Sequence, residues 1–225
     1  MRGTEMLQEH THNEISKAIV KSQHTQRNFD LTKKIPTEDM KVLMNAVTEC
    51  PSKQNIAYYK VHFIEDRDLI EDIHSHTRGF VTNKHESGYE TNTQVLANLL
   101  VIFERHLPND RLSDDSVKRN DQTRYFQEHG QWEDEELLTK DIHTSLGIAA
   151  GYLNLTASLL GYRTGCCQCF DSDKVKEVAL LEDTPLLLMG VGYNQEGVNR
   201  RKHHIRDDFL FYAKKKMPIE TKIWR

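Results

Sequence analysis

Apolar residues recur along the chain in two periods. Leu7, Ile15, Ala18 and Ile19 fall near one helical face among polar neighbours, which predicts a first helix over residues 5–22. Pro36, with Thr37, Glu38 and Asp39 behind it, is a helix N1 signal. Met40, Val42, Leu43, Ala46 and Val47 carry that second helix to Cys50 and Pro51. Tyr59, Val61 and Phe63 alternate with Lys60 and His62, the period of a strand buried mainly on one face. The run 95–103 is apolar but for Asn98 and long enough for a central strand, and 186–191 is continuously apolar, as suits a fully buried strand. Between them lies the strongest helix, Asp141 to Gly161, apolar around most of its circumference. Its small residues Gly147, Ala150, Gly151, Ala157 and Ser158 read as a stripe for close approach of another backbone. Asp171 and Ser172 cap a short helix through Val175, Val178 and Ala179, and residues 219–224 alternate enough for a terminal strand. Residues 104–135 are polar, with scattered anchors at Leu112, Tyr125, Phe126 and Trp132. They form an expected insertion in one domain spanning residues 1–225. This order of elements predicts an α+β fold, a mixed central sheet flanked by helices, with the long buried helix at its centre.

Composition narrows the function. Lys and Arg number 30 against 34 Asp and Glu, a net charge of −4, which lacks the cation excess that nucleic acid or anionic lipid would select. No apolar window is long enough to span a membrane. The first twenty residues carry Glu5, Gln8, Glu9, His10, His12 and Glu14 where a signal peptide would be apolar, so a cytoplasmic location is expected. Cys50, Cys166, Cys167 and Cys169 do not make a disulfide framework in a chain of 225 residues. Neither a Gly-x-Gly-x-x-Gly turn nor a Walker-type phosphate loop is present.

Four segments carry candidate chemistry. Gln23-His24-Thr25-Gln26-Arg27-Asn28-Phe29 sets an imidazole, a hydroxyl and a guanidinium close together, the donors a phosphate wants. Pro51-Ser52-Lys53-Gln54-Asn55 joins a helix stop to short hydrogen-bonding side chains. Gly161 to Asp171 links the long helix to the next through two glycines and three thiols, small groups against which a flat ligand can lie. Gly190-Val191-Gly192-Tyr193 is followed by the cations Arg200, Arg201 and Lys202. Taken singly, each is an ordinary connector. The pairs His10/His12 and His74/His76 read as structural, and Lys214 to Lys216 as a solvated stretch.

In order and spacing the four segments resemble the nitroreductase-like family of FMN-dependent oxidoreductases. Gln23 to Phe29 is similar to the family's Arg-Arg/His-Ser-x-Arg/Lys-x-Phe, and Pro51 to Asn55 to its Pro-Ser-x-x-Asn. Leu160-Gly161 matches the end of its dimer-core helix, and Cys169-Phe170-Asp171 its Gly-Phe-Asp. Two departures are clear: Gln23 stands in place of the leading arginine, removing one phosphate cation, and Cys169 replaces a glycine. The segment after Asn55 also lacks the family's Gln-Pro-Trp.

The resemblance implies a homodimeric flavoprotein that moves hydride from NADH or NADPH through flavin N5 to a small planar acceptor, such as a nitroaromatic or quinone. It implies that Gln23, His24, Thr25, Arg27, Arg200 and Arg201 serve the FMN phosphate and pyrimidine side. Backbone at Cys167, Gln168 and Cys169 would face N5. Pro51, Ser52, Lys53 and Asn55 would reach the cofactor of the partner subunit. Two alternatives stay open: a relative that keeps the fold but has specialised or lost redox activity, and a zinc-stabilised interaction module built on Cys166, Cys167, Cys169, His203 and His204.

Overall fold

The computed structural model describes residues 2–78, 92–106, 135–203, 210 and 215–224. Its elements are α1 (Arg2–Ser22), α2 (Thr37–Thr48), β1 (Tyr59–Ile64), α3 (Arg67–Ser75), β2 (Leu99–Arg105), α4 (Glu135–Leu159), β3 (Arg163–Cys167), α5 (Ser172–Val178) and β4 (Pro185–Gly192). Single 3-10 turns lie at Lys53–Asn55 and Thr93–Val95.

The four strands pair in the order β1-β2-β4-β3, and every pairing among the described residues is antiparallel. Among the described residues the sheet is therefore antiparallel where a mixed one was expected, within the α+β fold anticipated. The extra strand anticipated at residues 219–224 is not formed: residues 215–224 are exposed and have no sheet partner. The expected insertion at 104–135 also shrinks, because Glu104 and Arg105 belong to β2 and Glu135 opens α4; its residues 107–134 lie outside the described part.

Alternation on the two central strands explains their unbroken apolar runs. Leu99, Val101, Phe103, Leu187, Met189 and Val191 face one way, into a core with Leu43 and Val47 of α2 and Leu146, Ala149, Leu153 and Ala157 of α4. Leu100, Ile102 and Leu188 face the other way, against Ile70 and Ile73 of α3 and Val175 of α5. A strand sandwiched this way has no polar face to show.

The expected strand at 95–103 starts only at Leu99, because residues 92–98 lie across the sheet instead of within it. Three glycines make room for that crossing. A Cβ at Gly190 would stand 2.1 Å from the Gln94 carbonyl oxygen, one at Gly165 2.5 Å from Gln94 Cβ, and one at Gly192 2.0 Å from Asn98 Oδ1.

Two elements are not announced by the hydrophobic pattern above. α3 is signalled by Asp66, whose carboxylate caps the amide of Leu69 at 2.9 Å, and by the spacing of Leu69, Ile70 and Ile73. β3 occupies part of the segment expected to be a ligand-binding loop. The expected stripe on α4 also divides: Gly147 and Gly151 are exposed, with no neighbouring atom within 4 Å of where a Cβ would stand, while Ala157 and Ser158 are buried. With Tyr152 and Leu159 they leave one face of α4 open in the single chain, so this helix is buried on one side only.

Candidate functional site

The segment from Gln23 to Phe29 leaves α1 and runs beside the edge strand β3. Gln26 N–H donates to the Thr164 carbonyl at 2.8 Å, and Arg27 N–H donates to the Arg200 carbonyl at 2.9 Å. Buried Asn28 secures the neighbouring turn by donating from Nδ2 to the carbonyls of Asn199 and Lys202, at 2.8 and 2.9 Å. Residues nearly 175 positions apart in sequence therefore meet along one sheet edge.

At one end of that edge the charge is positive. Arg200 donates from Nη1 to the Thr25 carbonyl at 3.0 Å, and its Nη2 lies 3.5 Å from His24 Nδ1. Burial, reinforced by Arg200 and Arg163, lowers His24 below the ordinary imidazole range. Gln23, exposed, carries no charge into this group. Arg201 adjoins Arg200 and further lowers it after burial has done so.

At the other end lie the thiols. Arg27 donates from Nη1 to Asn92 Oδ1 at 3.3 Å, and burial lowers its guanidinium to about 10, which leaves it charged at neutral pH. Cys167 and Cys169 are titratable neighbours that act on it in the opposite sense. The Cys169 carbonyl accepts the Arg78 amide at 2.7 Å, and Asn92 Nδ2 lies 3.4 Å from the same oxygen. The amides of Gln168 and Cys169 have no acceptor among the described residues. Burial pushes the Cys167 thiol up to about 11, so it is packed as a neutral group. Gly165 offers no platform for a ligand, because Gln94 and Gln26 occupy the space over it.

The Pro51–Asn55 segment stands elsewhere. Lys53 Nζ lies 2.6 Å from Asp141 Oδ2, near the start of α4, and Asn55 adopts φ +57, a left-handed conformation that asparagine tolerates. The His24–Arg200 group lies at the far end of the same helix, where Lys21 Nζ donates to the Gly161 carbonyl at 2.7 Å and Asn154 Nδ2 to the Ser22 carbonyl at 2.9 Å. About twenty residues separate Asp141 from Gly161, roughly 30 Å of helical rise. Within one chain the structure joins His24, Thr25, Arg27, Arg200 and the backbone at 167–169, and holds Ser52, Lys53 and Asn55 apart from them.

No group of three or more His, Cys, Asp or Glu side chains is placed to hold a metal ion among the described residues, and His204 lies outside them. No helix of the described residues is long and apolar enough to cross a membrane.

Comparison with known proteins agrees with the fold. The Nitroreductase family model matches residues 20–193, and the chain belongs to that family. The fold recurs in a Streptococcus pneumoniae nitroreductase family protein at 22% identity, TM-score 0.59, covering 80% of this chain and 90% of that one. A protein assigned as a nitroreductase from Exiguobacterium sibiricum, solved in complex with FMN, is 19% identical, TM-score 0.62, over 89% of this chain and 91% of that one. One assigned as an NAD(P)H:FMN oxidoreductase from Staphylococcus epidermidis is 17% identical, TM-score 0.61, over 88% and 95%. The comparison with curated proteins gives no match.

Proposed function

We propose that this chain is a single-domain, FMN-dependent oxidoreductase that passes hydride from NADH or NADPH to a small planar acceptor such as a nitroaromatic or a quinone. The observation that supports this reading best is the layout of the β3 edge. Cationic and hydroxyl groups gather at its start, and the unengaged amides of Gln168 and Cys169 follow its end, with Arg27 between them. From Thr164 to Gln168 the strand advances about 13 Å. That is room for a phosphate, a polyol chain and the near edge of a ring.

The residues fit FMN. His24, Thr25, Arg200 and Arg201 would hold its phosphate, and no carboxylate among the described residues pairs with Arg200 to compete. Arg27 would place a fixed positive charge beside the pyrimidine side, to stabilise negative charge on the reduced flavin. The two amides orient the ring edge without a titrating side chain. Bound there, FMN supplies the two-electron chemistry at N5 that no side chain of this chain provides.

A homodimer completes the site in this reading. Ser52, Lys53 and Asn55 lie about 30 Å from His24 along α4, too far to share one ligand within a chain. A two-fold pairing of the open α4 faces in antiparallel sense brings the start of one helix to the end of the other. A cytoplasmic location suits the four free cysteines.

The visible spectrum of the protein purified with added FMN is the first test: a stoichiometric flavin band is expected, bleaching anaerobically on addition of NADH or NADPH. Retained flavin without bleaching supports the specialised relative instead. A protein that takes up no FMN overturns both.

A further inference from the structure

The family pattern places a cation at Gln23, and this chain has none there. A compensating charge is found on another element. Arg163, the first residue of β3, lines with Ser16, Lys17, Val20, Lys21 and His24 an open groove of about 570 Å³. The Gln26–Thr164 hydrogen bond at 2.8 Å fixes the His24–Thr25 turn next to it. Arg200 reaches the same turn from the opposite direction, bonding Thr25 and approaching His24.

Three cations, Lys21, Arg163 and Arg200, thus gather around the His24 imidazole, beside the Thr25 residue whose carbonyl Arg200 bonds. None of the three has a carboxylate partner among the described residues. Lys21 is engaged, but by a neutral acceptor, the Gly161 carbonyl. Each of the cations is lowered by burial and then by a neighbouring cation: Lys21 by Arg163, Arg163 by Arg200, and Arg200 by Arg201. Lys17, the other cation of the groove, is already paired with Glu14 at 2.8 Å. Like charges gathered without counter-charge raise the energy of the free protein and are relieved by a bound anion. Two guanidinium forks, an imidazole and a hydroxyl match a tetrahedral phosphate in particular.

We infer that Arg163, together with Arg200, His24 and Thr25, forms a phosphate-monoester site, in which Arg163 supplies the cation that Gln23 does not. That the ester belongs to FMN rests on the function proposed above; the 2′-phosphate of NADPH is the other source of the same chemistry.

The test uses the full-length protein and three probes: inorganic phosphate, FMN against riboflavin, and NADPH against NADH. Inorganic phosphate, titrated into the flavin-free protein, is expected to shift the His24 imidazole resonances. Arg163→Gln is expected to weaken that binding about ten- to a hundredfold, the loss of one charge-assisted partner, and Arg163→Lys to restore most of it. Restoration by Gln23→Arg in the Arg163→Gln background would mark the two positions as serving one group. The same Arg163→Gln change is expected to lower FMN affinity while leaving riboflavin affinity unchanged.

If phosphate binding depends on Arg163 but FMN and riboflavin bind alike, the site stands and the flavin assignment falls. Discrimination of NADPH from NADH that depends on Arg163 would then name the ester. Phosphate binding unaffected by Arg163→Gln would overturn the inference.

Discussion

Lys53 and Asp141 form an ion pair at 2.6 Å that fastens the Pro51–Asn55 turn to the beginning of α4. The carboxylate is the more buried partner, 14% exposed against 43% for the lysine, and it also raises the phenol of buried Tyr58 by charge and hydrogen bonding, after burial itself. Lys53→Met leaves that carboxylate without its cation. Discounted for the exposure of the lysine, a loss of about 1 kcal/mol is expected, a drop of roughly 2–4 °C in Tm. FMN affinity should fall with it if the turn serves a cofactor. A differential scanning measurement with and without FMN checks both; unchanged values would show that the pair anchors nothing of consequence.

Glycines on the sheet and on α4 should respond oppositely to a methyl group. Gly190→Ala puts Cβ against the Gln94 carbonyl, backbone that cannot move without shifting the whole 92–98 crossing. A destabilisation of about 3 kcal/mol or more is expected, with Asn92 and hence Arg27 displaced. Gly147→Ala meets open space in the chain, so its folding should survive. Urea unfolding of the two variants, compared by midpoint, decides the matter.

Gly151→Leu probes assembly. Within one chain a Cβ at Gly151 meets open space, whereas at a two-fold contact between α4 faces a leucine there would separate the backbones. The expected product is a folded, flavin-poor monomer by light scattering. A flavin-loaded monomer from the unaltered protein would refute the shared site.

Arg27→Met removes the cation between the Arg200 end of the β3 edge and the amides of Gln168 and Cys169. An FMN affinity loss of about ten- to a hundredfold is expected, read by fluorescence titration. Because Arg27 also bonds Asn92, Arg27→Lys serves as the control that keeps the charge.

Cys167 makes a pH prediction. Its folded-state value is raised to about 11, above the ordinary thiol near 8.5. The stabilisation is therefore complete below about pH 8.5 and disappears as pH rises through about 11. Stability should decline across that alkaline window more steeply in the parent than in Cys167→Ala. Native alkylation of Cys167 at about pH 7.5 should be slow, because little of a thiol raised this far is thiolate there. It should become complete in denaturant, as peptide mass analysis would show.

Much of the architecture is legible in the sequence because it rests on local pattern. Tyr59 to Phe63, Pro185 to Val191 and the Asp171 cap each declare their element in a few residues. What stays hidden depends on contacts distant in sequence. Nothing near Val95 says that residues 92–98 ride over Gly165 and Gly190, so the apolar run alone starts the strand too early. Arg163 resembles a loop residue because β3 is short and its partner β4 lies some twenty positions on. The His24–Thr25–Arg27 group is visible as a donor pattern. Its union with Arg200 follows from the family resemblance, and the hydrogen bonds give the physical reason. The open face of α4 cannot be read at all, since an apolar helix covered by its own chain and one awaiting another chain share a composition.

The link between Arg27 and Arg200 also orders events in time. Strands β1, β2 and β4 and both core layers need nothing beyond Tyr193. The cationic end of the β3 edge does need Arg200, and the intervening loop must close before any charge is gathered there. On a translating ribosome the sheet can thus be built before the pocket exists. Any anion that these cations hold is captured only after Arg200 has emerged and folded back onto the turn that follows the first helix.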